Sequence, residues 1–211
     1  MPRNHLKDLS TGWQTILMFG LLGLVLSLVV SFVQPLRYAS SARLLILQNV
    51  GSSVDAYTAS RSEERIADNL STIIYTSTFF DEVLNAGFSI DKDAFPQEDN
   101  SARRMWRKTV DATVSRGSGL LTITAYHPDI RQAEQIVRAV AFVLTDRVSE
   151  FTSGDNIKVR LIDAPLNSRW PVKPNIPANT ASGFFLGAFV GMAYVMVQTE
   201  RLRRRHQLIH N

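Results

Sequence analysis

Two long stretches of the chain, residues 9–36 and 174–199, carry no Asp, Glu, Lys or Arg, and the alternation of polar and apolar positions falls between them. The first contains Trp13–Val33, WQTILMFGLLGLVLSLVVSFV. As a helix it would be roughly 32 Å long, enough to cross a bilayer core. The second runs from about Ile176 to Val197 and is most apolar at GFFLGAFVGMAYVMV, residues 183–197. The pattern predicts two transmembrane helices, 13–35 and 179–199. A cleaved signal peptide is the competing reading of the first, given Arg3, Lys7 and the small residues Ala39-Ser40-Ser41-Ala42. The apolar run is longer than a signal-peptide core of about 7–15 residues, which favours a retained span.

Between the spans, Tyr38–Asn49 reads as a strand. Leu44 and Ile46 alternate with Leu45 and Leu47, so both faces look apolar enough to be covered. A Gly/Ser/Asp loop is expected at 51–60. From Arg61 to Ala86, Ile66, Leu70, Ile73, Ile74, Val83 and Leu84 recur at helical spacing, with a break expected near 76–78 and Gly87 as the stop. Residues 89–100, with Pro96 and several acids, read as loop. Val110, Ala112 and Val114, then Leu121, Ile123 and Ala125, alternate around Gly117-Ser118-Gly119, which predicts a hairpin over 109–126. Asp129, with Gln132 three residues on, is a helix start. Ala133, Ile136, Val137, Val140, Leu144, Val148 and Phe151 form the buried stripe of that helix. After Ser153-Gly154-Asp155, Ile157–Ile162 reads as a half-buried strand. Pro171, Pro174 and Pro177 then predict an extended, stiff segment at 171–178.

Charge settles how this plan is oriented. The 211 residues hold 23 Lys and Arg against 19 Asp and Glu, a net +4, with a pI near 9.6. Six of the cations (Arg3, Lys7, Arg201, Arg203, Arg204, Arg205) and two of the acids (Asp8, Glu200) lie in the tails, leaving 17 of each sign in 37–173. The basicity therefore points away from nucleic acid. By the preference of cationic tails for the cytoplasm, both termini are expected inside, tails 1–12 and 200–211, and the domain at 36–170 in the periplasm or outside a plasma membrane. A mean hydropathy of −0.02 excludes a mostly membrane-embedded protein, and the absence of cysteine excludes disulfides. The fold class expected is α+β: two transmembrane helices flanking one extracytoplasmic domain with a small mixed sheet and two long amphipathic helices.

Small residues recur at four-residue steps in both spans, Gly183, Gly187 and Gly191 in the second and Gly23, Ser27 and Ser31 in the first, with Gly20 just before. Such a stripe lets backbones approach closely, so the helices should pack on each other or on neighbours. Trp13 and Trp170 suit interfacial anchors. No arrangement of His5, His127, His206 and His210 supports a triad, there is no G-x-S-x-G or phosphate-loop motif, and nothing selects a catalytic carboxylate pair. No enzyme activity, cofactor or metal is expected; His206 and His210, four residues apart, have no third ligand nearby. The cluster Arg103, Arg104, Met105, Trp106, Arg107, Lys108 has two readings. It could contact an acidic polysaccharide or lipid phosphates, with Trp106 stacking on sugar rings. Alternatively Met105 and Trp106 pack inward and the cations answer the acids at 91–99. The basic tail 201–206 is explained as an anionic-lipid anchor and permits docking of a cytoplasmic protein.

The order of these features resembles the polysaccharide co-polymerases, the Wzz-type chain-length determinants of bacterial surface polysaccharides. The residues that carry the resemblance are the strand from Tyr38, LLTITAYHPDIRQAEQIVRAV at 120–140, VRLIDAP at 159–165, and the spacing Pro171, Pro174, Pro177 leading into the Gly183, Gly187, Gly191 helix. Here the helix from Asp129 has only about 22 residues, so the extended coiled arm of longer members is missing and no kinase is fused. The resemblance implies an inner-membrane homo-oligomer whose partners are a polysaccharide polymerase and a lipid-linked glycan, with the proline and glycine residues coupling and packing. Two alternatives stay open: an adaptor for a separate cytoplasmic tyrosine kinase, and a two-helix sensor or channel subunit.

Overall fold

Alternating residues between Tyr38 and Asn167 build a four-stranded sheet, and helices between the strands cover one of its faces. The structure, a computed structural model, describes residues 12–49, 55–152 and 157–209. Residues 1–11 of the expected tail 1–12, residues 51–54 of the expected Gly/Ser/Asp loop 51–60, the Ser153-Gly154-Asp155 turn and residues 210–211 lie outside these residues. Two compact units form. One is Leu36–Val172, and the other comprises the residues on either side of it in the chain.

In the first unit the elements run β1 (Tyr38–Gln48), α2 (Ala56–Ile73), α3 (Ser77–Leu84), a 3-10 turn at Lys92–Ala94, α4 (Asp99–Thr109), β2 (Val110–Val114), β3 (Leu120–His127), α5 (Ile130–Asp146), α6 (Val148–Phe151) and β4 (Ile157–Asn167). The other unit contributes α1 (Trp13–Val33) before them and α7 (Ile176–Ile209) after. The sheet order is β2-β3-β1-β4 and every pair is antiparallel, which corrects the expected mixed sheet. The cause is topological. β3 and β4 run the same way, joined by α5, but β1 lies between them and runs opposite to both, splitting the β-α-β unit.

Ala42, Leu44 and Ile46 of β1, with Leu121, Ile123 and Ala125 of β3, are buried under the helices. On the other face Ser41, Arg43 and Leu45 face Thr124, Thr122 and Leu120, and all six are half-buried or exposed. Leu47 is 38% exposed, so β1 is covered on one face and not on both. The helix stripe of α5 is buried as its spacing predicts, through Ala133, Ile136, Val137, Val140 and Leu144. It is also wider, taking in Ala139, Ala141 and Val143, because α5 meets three strands and α3.

Local chemistry explains the boundaries. Asp55 caps α2, its Oδ1 accepting from the Tyr57 and Thr58 amides at 3.0 Å, so the helix begins within the segment expected to be loop. The break near 76 is present: the Thr76 hydroxyl accepts from Phe79 N–H at 3.4 Å and starts α3 anew. Another helix, α4, starts inside the expected loop at Asp99. Gly117 turns the β2–β3 hairpin at φ 72°, a left-handed conformation that glycine adopts freely. Asp129 caps α5 by accepting from Arg131 N–H at 2.9 Å. Gln132 does not complete a capping box, since its side chain accepts from Asp91 N–H at 2.9 Å and donates to the Ser89 carbonyl at 3.2 Å. The predicted strand at 157–162 extends to Asn167, with a register shift opposite Arg43.

The two sheet edges differ. At β2 the outward Ala112 N–H donates to the Tyr75 hydroxyl at 2.9 Å, which occupies that edge. Burial of this phenol raises its pKa above the ordinary value. At β4 the outer residues Leu161, Ile162 and Leu166 are 41%, 51% and 70% exposed.

Candidate functional site

The small residues singled out for packing come together in the helix pair α1 and α7. Both helices are long and apolar enough to cross a membrane, and away from their contact they expose Leu21, Val25, Leu26, Val29, Phe185, Phe189 and Val190. They pack antiparallel along the small-residue stripes. A Cβ added at Gly23 would collide with the Gly183 carbonyl oxygen and lie 3.1 Å from the Gly187 Cα. One added at Gly183 would lie 2.5 Å from the Ser27 Cβ and 2.7 Å from the Gly23 carbonyl oxygen. One at Gly187 would collide with the Phe19 carbonyl oxygen, and one at Gly191 would stand 2.9 Å from the Ile16 Cα. The stripes therefore face each other within one chain, and the backbones touch where side chains are missing.

A polar contact completes one end of this seam. The Asn179 side-chain amide donates to the Ser31 hydroxyl at 3.1 Å, and Ser31 is fully buried. Ser27 donates back to the Leu24 carbonyl at 2.8 Å, so its hydroxyl is satisfied within its own helix. Gly12 also belongs to the seam, where a Cβ would lie 2.6 Å from the Val195 side chain, and Gly20 packs against Phe184. Sequence reasoning missed Asn179 and Gly12. The signal for Asn179 was present, because it stands four residues before Gly183 and extends the same periodicity.

The prolines do not form one stiff segment. Pro171 belongs to the Leu36–Val172 unit, whereas Pro174 follows a cis peptide bond from Lys173. Pro177 is inside the first turn of α7, which begins at Ile176 and not after 178. That position suits proline, whose missing N–H would have no intrahelical acceptor there. Asn175 precedes the helix and its Oδ1 accepts from Ala178 N–H at 3.3 Å. At the other end the α7 backbone remains helical to Ile209, through most of the expected basic tail.

The 103–108 cluster separates into two roles. Trp106 is 1% exposed, its Nε1 donates to the Ile74 carbonyl at 2.7 Å, and its ring lies 5.1 Å from that of Phe80 and 6.1 Å from that of Phe95. It is a core residue, so the reading in which it stacks on sugar rings is corrected. The amphipathic spacing of α4 is the reason: Ala102, Trp106 and Thr109 share the buried side. Arg103, Arg104, Arg107 and Lys108 are all exposed. Among the described residues none of them forms an ion pair with the acids at 91–99. Arg104 Nε donates to the Asn100 carbonyl at 3.3 Å, and the Arg107 guanidinium lies 5.9 Å from the Tyr75 ring centre. His127 is occupied locally, its Nδ1 lying 3.0 Å from the Asp129 amide that donates to it.

No protein-family model matches this sequence, and no curated protein matches it.

Proposed function

We propose that the chain is a two-pass inner-membrane protein of the Wzz-type co-polymerase kind, with both termini in the cytoplasm. In this reading it regulates the length of a surface polysaccharide without catalysing a reaction itself. It acts as a homo-oligomer beside the polymerase and the lipid-linked glycan. The observation that carries the reading is the glycine seam: two span-length helices, placed on either side of a split β-α-β domain in the sequence, have backbones that touch at Gly23, Gly183 and Gly187. Such a joint suits a protein whose work is to hold a defined arrangement in the membrane. The order of elements between the spans supports the same reading. Deleting the gene and sizing the surface polysaccharide on gels tests it, with a changed length distribution expected. Gly187→Leu is expected to change polymer length while the protein still inserts in the membrane. An unchanged distribution in both strains would overturn the proposal.

A second reading, an adaptor for a cytoplasmic tyrosine kinase, draws on the continuation of α7 as helix past Arg201 to Ile209. Co-purification of a kinase with a Walker-type phosphate loop would favour it.

A further inference from the structure

The end of the α+β unit where the chain enters and leaves combines cations with exposed apolar side chains. β1 begins there, and the segment after β4 lies beside it: Ser168 N–H donates to the Ala39 carbonyl at 2.7 Å and Val172 N–H to the Arg37 carbonyl at 2.8 Å. The register brings the last turn of α4 to the same end, because Val110 faces Ala125 and Ala125 faces Ser40. Arg37 ties them together, its Nη1 donating to the Lys108 carbonyl at 3.4 Å. Arg107 and Lys108, with Arg104 one turn back, are exposed and form no ion pair among the described residues. On the strand side Leu166 is 70% and Trp170 75% exposed. Three acids lie at this end among the described residues. Asp111 is exposed on the open sheet face, the Asp129 carboxylate is engaged in capping α5, and the Glu134 carboxylate is held by Asn167 at 2.7 Å and by Arg138.

Unpaired cations beside an exposed tryptophan and leucine match the layer in which lipid headgroups meet acyl chains. Trp106, which lies between Arg104 and Arg107 in the sequence, is in the core and presents no ring to a sugar polymer. Arg37 stands four residues after Val33, the last residue of α1, a reach of at most about 14 Å. A headgroup layer of roughly 5–7 Å is therefore accessible to this end if α1 spans the membrane. We propose that Arg37, Arg104, Arg107 and Lys108, flanked by Leu166 and Trp170, form a surface that binds anionic lipid headgroups and seats the domain on the bilayer. The inference rests on the membrane reading above, and it assigns these cations to lipid and not to polysaccharide.

The chain has no cysteine, so a single introduced thiol takes a single label. Full-length Lys108→Cys, and Arg116→Cys at the β2–β3 turn on the opposite end, would each carry a fluorophore. Each would be reconstituted in vesicles of phosphatidylcholine alone, or with about a third phosphatidylglycerol, containing a headgroup nitroxide quencher. Quenching at 108 is expected to be several-fold that at 116 and stronger with phosphatidylglycerol. It should fall towards the phosphatidylcholine value at high salt or when Arg104→Gln and Arg107→Gln are added. Equal quenching at 108 and 116, or no dependence on lipid charge, would overturn the proposal. So would protection of position 108 by a soluble acidic polysaccharide without any lipid dependence. Protein that fails to float with vesicles defeats the membrane reading as well, whereas protein that floats but is not quenched at 108 defeats this proposal alone.

Discussion

In the α+β unit the core gathers around its largest fully buried side chain, Trp106, with Phe80 and Phe95 against it and its ring nitrogen bonded to the Ile74 carbonyl. In the helix pair the closest approach occurs where Gly23, Gly183 and Gly187 have no side chain at all. On the proposed reading, in which the helix pair spans a membrane, the contrast follows from what surrounds each region. Where water is the alternative, a large apolar side chain gains most by burial, and size is favoured inside. Where the alternative is hydrocarbon, burying a leucine gains little, and backbone contact with a satisfied polar pair such as Asn179 and Ser31 holds the helices together. One chain thus uses opposite residue types for its two cores.

Substituting the centre of each core separates the two. Trp106→Ala is expected to have the larger effect, about 3–5 kcal/mol from the cavity and the lost aromatic contacts, and to leave the Ile74 carbonyl without its partner. Thermal unfolding of the full-length protein in detergent, followed by near-ultraviolet circular dichroism, should show the α+β transition lowered while far-ultraviolet helix signal from the pair persists. Gly187→Ala adds one methyl group yet should cost about 1–3 kcal/mol, because the new carbon meets the Phe19 carbonyl and has no rotamer to escape through. Spin labels on α1 and α7 should report a wider separation with the α+β transition unmoved; a shift in that transition would show that the two cores are not independent.

The smallest effect should come from the α+β surface. Hydrogen bonds from Asn167 and Arg138 hold the Glu134 carboxyl below its ordinary value of 4.5. A carboxylate lowered in the folded state contributes fully above that value and loses its contribution as the pH falls below it. Glu134→Gln should therefore cost under about 1 kcal/mol at neutral pH and nothing in acid. A cost that persists in acid, measured by denaturant midpoints, would show that packing and not charge is responsible.

Much of this architecture is legible along the chain where the interactions are local. The hairpin at 110–127, the break before Ser77, the stripe of α5 and the four-residue spacing of the glycines all depend on neighbours a few positions apart. What escapes is decided by distant partners. Nothing near Gln132 indicates that it will bind Ser89 and Asp91 in place of its own helix end. The position of β1 between β3 and β4 is likewise set by chain crossing, and that alone makes the sheet antiparallel throughout. Trp106 stands between readings for the same reason, since its polar neighbours suggest a surface and only the packing of α4 against Phe80 and Phe95 shows which way it points. The charges before Gly12 and after Glu200 bear on the expected orientation alone.

The seam between α1 and α7 also has a thermodynamic side. Gly20, Gly23, Gly183, Gly187 and Gly191 have no rotatable side chain, so bringing these surfaces together immobilises no rotors there. A leucine seam would lose about 0.5–1 kcal/mol of conformational freedom for each side chain ordered. The joint is therefore close without being entropically expensive at the glycines, and backbone shape sets its pairing together with the Asn179–Ser31 hydrogen bond.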